Sequence, residues 1–154
     1  MTKRIFAMVG LLALMVLMTS VLTAAAQMPN PSIQLVAPEE LKVLNDPEPP
    51  IPTLTMNVGD TLTVRIQVQS DSNQEFISAM ALPSFQFPGK GVVAVQGGDH
   101  AGSGTSATLE VTFKAKGPTA RMPGGVAPVF VVVGVRYGGG YVAVQEYLFN
   151  VAVP

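Results

Sequence analysis

The chain is 154 residues long, with nine basic and ten acidic side chains, a single histidine and no cysteine. That length holds one domain and a targeting segment. The missing cysteine excludes thiol catalysis, Cys-ligated zinc and a disulfide-stapled scaffold, and the lack of clustered Lys and Arg excludes the electrostatic footprint of a nucleic-acid binder or a polybasic membrane patch.

Residues 1–26 read as a secretory signal peptide. Lys3 and Arg4 make a short positive region, residues 5–22 an apolar helical run, and Ala24, Ala26 and Gln27 the small-x-small pattern at which a signal peptidase cuts. The competing reading is a retained anchor, because the run is near the lower limit for spanning a bilayer; membrane association is expected only in that case. Removing Lys3 and Arg4 leaves seven basic against ten acidic residues, a net charge of about −3. The expected location is secreted, periplasmic or at the cell surface.

Residues 27–52 form a proline-rich segment, with Pro29, Pro31, Pro38, Pro47, Pro49, Pro50 and Pro52. Proline disrupts helices and central strands alike, so extended chain is expected. Residues 33–36 (Ile-Gln-Leu-Val) suit an edge strand, and Leu41 and Val43 a second short one after the turn at Pro38-Glu39-Glu40. A flexible tether is the alternative for this segment.

Residues 53–154 follow a period of two. Leu54, Met56 and Val58 share one face before the turn at Gly59-Asp60. Then Leu62, Val64, Ile66 and Val68 point one way, and Thr61, Thr63, Arg65, Gln67 and Gln69 the other, as in a half-buried strand. Asp71-Ser72-Asn73 ends it with turn chemistry. Residues 76–82 are less regular, and Phe85, Phe87 and Pro88 read as strand then loop. A short strand at residues 92–95 closes at Gly97-Gly98, and a polar loop runs to Gly104.

A second clean alternation places Ala107, Leu109, Val111, Phe113 and Ala115 inward. Residues 129–137 are apolar on both faces over half their length, as expected of a central strand, and Gly138-Gly139-Gly140 turns the chain into a terminal hairpin. Residues 141–153 are too long a run for one unbroken phase, with Val142 and Val144 on one face and Tyr147, Phe149, Val151 and Val153 on the other. A bulge near Gln145-Glu146 would reconcile them. Seven or eight strands with a turn every eight to twelve residues predict an all-β fold, an immunoglobulin-like antiparallel β-sandwich following the signal helix. A closed barrel is the structural alternative.

Candidates for chemistry are sparse. His100 has Asp99 beside it and Ser103, Thr105 and Ser106 nearby, but neighbours on one glycine-rich loop seldom meet the geometry of a catalytic triad. Asp71, Asn73 and Glu75 offer oxygens to a calcium ion, with Asp60 and Asp99 as further donors. They lack the glycine and distal glutamate of an EF-hand loop, and Asx-turn chemistry is the plainer account. Tyr141 at the hairpin is the one candidate sugar platform, since Tyr137 and Tyr147 fall on apolar faces. Phe85 and Phe87 suit core positions under a connection. No catalytic, metal or cofactor site is expected. An edge strand, at residues 33–36 or in the terminal segment, would let the chain pair with another chain or with itself.

The order of residues 33–36, residues 58–66 (Val-Gly-Asp-Thr-Leu-Thr-Val-Arg-Ile), residues 107–115 (Ala-Thr-Leu-Glu-Val-Thr-Phe-Lys-Ala) and the Val-rich terminal hairpin resembles bacterial and archaeal extracellular Ig-like domains of the cell-adhesion-related and S-layer-associated kind. That resemblance implies a non-catalytic structural or adhesion module whose partner is an envelope or extracellular protein. Val58-Gly-Asp-Thr-Leu62 also resembles the opening strand of chagasin-like cysteine-protease inhibitors, which implies an alternative function as a ligand-binding or inhibitory domain acting through loops. The chain lacks both inhibitory motifs of that family, having Gln69-Ser-Asp-Ser-Asn-Gln74 after the first strand and no tryptophan.

Overall fold

A computed structural model describes residues 29–70, 74–85 and 91–154. The apolar N-terminal run, the cleavage residues Ala24, Ala26 and Gln27, and the loop residues Asp71, Asn73 and Phe87 lie outside them.

Among the described residues nine strands run in chain order: β1 (Ser32–Ala37), β2 (Thr53–Thr55), β3 (Thr61–Gln69), β4 (Ser78–Phe85), β5 (Val92–Ala94), β6 (Asp99–Ala101), β7 (Ser106–Ala115), β8 (Ala127–Arg136) and β9 (Val142–Ala152). They form two sheets, one ordered β1-β3-β7-β5 and the other β2-β9-β8-β4-β6. Every pairing is antiparallel except β2 on β9. The sheets face each other across one apolar layer, so the molecule is a β-sandwich rather than a closed barrel.

The period-two pattern explains the packing. On β3, Val64, Ile66 and Val68 are buried, and on β7 Leu109, Val111, Phe113 and Ala115. The opposing sheet contributes Ala79 and Ala81 of β4, alternate valines 129 to 135 of β8, and Tyr147, Phe149 and Val151 of β9. At the centre, the Phe113 ring meets Phe85 and Phe149 edge-on, with centroids 5.8 and 5.9 Å away. Edge-to-face contact aligns the positive ring edge with the negative face of its neighbour.

Four expectations are corrected. Leu41 and Val43 do not form a strand. After the cis Ala37–Pro38 bond, residues Glu39–Asn45 coil into a 3₁₀ helix. Leu41 and Leu44 are buried at the three-residue spacing that stacks side chains in that helix, and Val43 is only half-buried. Asn45 then locks the helix to β1, its Oδ1 accepting from Leu35 N and its Nδ2 donating to Leu35 O, both at 2.8 Å.

The strand expected over Leu54, Met56 and Val58 is only Thr53–Thr55, and Val58 is exposed. The segment after Gly98 is not simply a loop, for Asp99–Ala101 pairs with β4.

Finally, β9 carries no bulge. Its register with β8 is continuous from Val142↔Arg136 to Val151↔Ala127. Ala143, Gln145, Tyr147, Phe149 and Val151 therefore share the inner face throughout, and Val142 and Val144 belong to the outer one.

Candidate functional site

The loop candidates do not converge. Glu75 is exposed, and among the described residues no group of three or more His, Asp and Glu side chains is placed to hold a metal. Asp60 is occupied in a turn, its Oδ2 accepting from Asn57 N at 2.8 Å. Asp99 faces backbone rather than the His100 ring: its Oδ1 accepts from His100 N at 2.8 Å and its Oδ2 from Glu110 N at 2.9 Å. This carboxylate stitches β6 to β7 across the two sheets. His100 is exposed on β6 opposite Met80, and among the described residues its ring makes no hydrogen bond with the hydroxyls of Ser103, Thr105 or Ser106.

The aromatic candidates serve the core. Tyr137 and Tyr147 are buried, and Tyr141 is half-buried with its ring tilted against Tyr137 at 6.0 Å. Phe85 is half-buried against Phe113.

Two clefts flank β2. One, of about 640 Å³, opens between Pro38, Glu40, Met56 and Asp60. The other, of about 230 Å³, lies where the proline-rich segment (Pro47, Pro49, Ile51) runs beside Gln145–Leu148 of β9. That segment matters to the edge of β9. The three residues of β2 pair with Asn150–Ala152, so among the described residues no strand covers β9 from Val142 to Leu148 on that side. Prolines lack the donor a continuing ladder would need.

The outer faces of the two sheets differ in kind. The four-stranded sheet is polar outside: Thr63 Oγ1 lies 3.0 Å from Thr112 Oγ1, and Arg65 Nε and Nη2 each reach Glu110 Oε1 at 2.7 Å. The outer face of the five-stranded sheet is apolar. Met80 is 41% exposed, Leu82 44%, Val142 50% and Val144 64%, with Phe130, Val132 and Leu148 half-buried among them. Register sets them in rows across the strands: His100–Met80–Gly134–Val144, Leu82–Val132–Glu146 and Ser84–Phe130–Leu148. No described element lies over this face. Contiguous exposed apolar surface on a folded domain marks a contact site, and it is the one feature here that suits a function.

Val142 and Val144 are exposed although a valine in a strand reads as core. The signal that locates them is parity: both lie an even number of residues from Glu146, which could not sit unpaired inside.

No protein-family model matches the chain. No curated protein matches it in sequence. Solved structures overlap it loosely. A part of the α2-macroglobulin of E. coli does so with a TM-score of 0.46 and 14% identity over 80% of this chain, which spans 6% of that protein. Domains 4 and 5 of the S-layer protein SbsC overlap with a TM-score of 0.40 and 11% identity over 81% of this chain, which spans 53% of theirs. A chain of the zinc 2-glycoprotein complex with prolactin-inducible protein, from human seminal plasma, overlaps with a TM-score of 0.46 and 11% identity, covering 84% of this chain and 99% of that one. These likenesses concern the arrangement of strands alone.

Proposed function

We propose that the protein is an exported, non-catalytic interaction module, an immunoglobulin-like sandwich that works through the outer face of its five-stranded sheet. The apolar outer face carries this reading. A domain that met only water would favour polar side chains at positions 80, 82, 142 and 144, as it has at Thr63, Arg65 and Thr112 on the opposite sheet. The immunoglobulin type is supported by strand order. Across the sheets, the orders β1-β3-β7-β5 and β4-β8-β9 are those expected of strands A-B-E-D and C-F-G in that type. Export is supported by the basic, apolar and small-residue order of residues 1–27. Among the described residues, no helix is long and apolar enough to cross a membrane.

Fractionation of the producing cells tests the reading. The wild type should travel with an envelope component, and a Leu82→Lys/Val144→Lys variant should move to the soluble extracellular or periplasmic fraction while keeping its circular dichroism spectrum. Identical distribution of the two proteins would defeat it.

A further inference from the structure

Gly134 sits in the middle of the apolar face, on the central strand β8, between Met80 and Val144. A glycine inside a strand weakens it and often marks a place where another backbone comes close. Nothing among the described residues requires it. Gly134 is not among the glycines with positive φ. A Cβ built there would meet only Met80 Cγ at 3.7 Å, an ordinary contact. The dent it leaves is open to the outside.

Two charges flank the dent symmetrically. Arg136 lies two residues beyond Gly134 on β8, and Glu146 two residues beyond Val144 on the antiparallel β9, in the opposite direction. Both side chains point outward and are exposed, and among the described residues neither makes an ion pair or side-chain hydrogen bond. Four residues of strand separate their rows, roughly 13 Å. The face thus has a cation at one end, an anion at the other and an apolar row with a dent between.

We infer that the occupant of this face is a second copy of the chain, packed sheet on sheet about a two-fold axis that crosses the strands near Gly134. Such an axis exchanges the two ends of the face. Arg136 of each copy then lies over the Val132–Glu146 row of the other, one strand from Glu146 and within reach of its long side chain, and the two Gly134 backbones approach near the axis, as an isologous interface requires. The area is sufficient. From Pro128 to Arg136 in length, three strands wide with the three-residue β6 at one side, the face covers roughly 400 Å², about 800 Å² over two copies, enough for a weak, reversible contact. This inference rests on the proposed role of the face and adds its partner.

Sedimentation equilibrium on the protein purified after export tests it. The wild type should show a reversible monomer–dimer equilibrium in the micromolar range. Arg136→Glu and Glu146→Arg should each weaken it by about tenfold or more, and the double exchange should restore it to within about threefold. Gly134→Leu should weaken the dimer by about tenfold without lowering the melting temperature. If Arg136→Glu melts early, Val144→Lys supplies the same readout from a more exposed position. A wild type monomeric at every concentration, or a double exchange no better than the single ones, would overturn the inference. A monomer whose Leu82→Lys/Val144→Lys variant still leaves the envelope fraction overturns self-association alone; a monomer whose variant stays put overturns the proposed role as well.

Discussion

The Tyr147 hydroxyl, on β9 of the five-stranded sheet, donates to the backbone carbonyl of Ile33 on β1 of the opposite sheet, at 3.0 Å. It is a polar tie through the sandwich, joining strands 114 positions apart in sequence. Burial pushes the phenol up to about 12 from an ordinary value of 10, with a hydrogen bond to the Leu35 backbone acting in the opposite direction.

The sign of the pH effect follows. The folded chain holds the Tyr147 proton more tightly than the unfolded chain, so stability is intact below pH 10 and is lost as pH rises towards 12. After discounting for solvent screening the loss is about 1–2 kcal/mol. Tyr147→Phe should cost about 1 kcal/mol at neutral pH, through the Ile33 carbonyl left without its donor, and should lack this share of the alkaline loss. Urea denaturation of both proteins between pH 7 and 12 measures it; parallel curves would refute the assignment.

Phe113 holds the centre of the core, touching Phe85 from one side of the opposing sheet and Phe149 from the other. Phe113→Ala should destabilise the fold by about 3–5 kcal/mol, and Phe113→Leu by clearly less, because it keeps most of the volume. The shift of the denaturation midpoint at constant m-value reports both.

Thr119 is the one fully buried polar side chain among the described residues, and its hydroxyl serves two strangers. It donates to Gly125 O at 2.6 Å and accepts from Val153 N at 2.9 Å. Thr119→Val keeps the shape and leaves both groups unpaired in the interior, at a cost of about 2–3 kcal/mol. Thr119→Ser keeps the hydroxyl and should cost about 1 kcal/mol. Thermal melts that rank valine above serine would contradict the hydrogen-bond account.

Gly97 and Gly98 make an internal comparison. Gly98 has φ +118°, and a Cβ there would stand 2.5 Å from the Ala81 carbonyl oxygen. Gly97 has nothing within 4 Å. Gly98→Ala should cost about 1–3 kcal/mol and loosen β6 from β4, seen as faster amide exchange at the β6–β4 pairing. Gly97→Ala should stay within about 0.5 kcal/mol of wild type.

These sites show where the strand pattern was readable and where it was not. β3 and β7 were plain in the sequence because each has core on one side and water on the other, so side-chain chemistry alternates with geometry. β9 was not, because that rule assumes a polar outer face. Val142 and Val144 stand outside, and an apolar outer face made a regular strand look broken. The 3₁₀ helix escaped for another reason: seven residues are too few for a helical period to declare itself, and prolines on both sides favour extended chain. Of the apolar outer face, its members were visible as residues, while its existence depended on β4, β8 and β9 lying side by side, a long-range fact no local pattern holds.

β9 is the last strand in chain order, so the sandwich closes late. The four-stranded sheet is complete once β7 has been made, but β2 finds its ladder and β8 its second neighbour only when β9 arrives. A chain emerging with its N-terminus foremost therefore carries a finished half-sandwich, its oily inner side bare, until the final hairpin swings across and shuts it. Until then that half must be kept open or shielded, and a chain cut short before β9 would be a sticky remnant instead of a smaller domain.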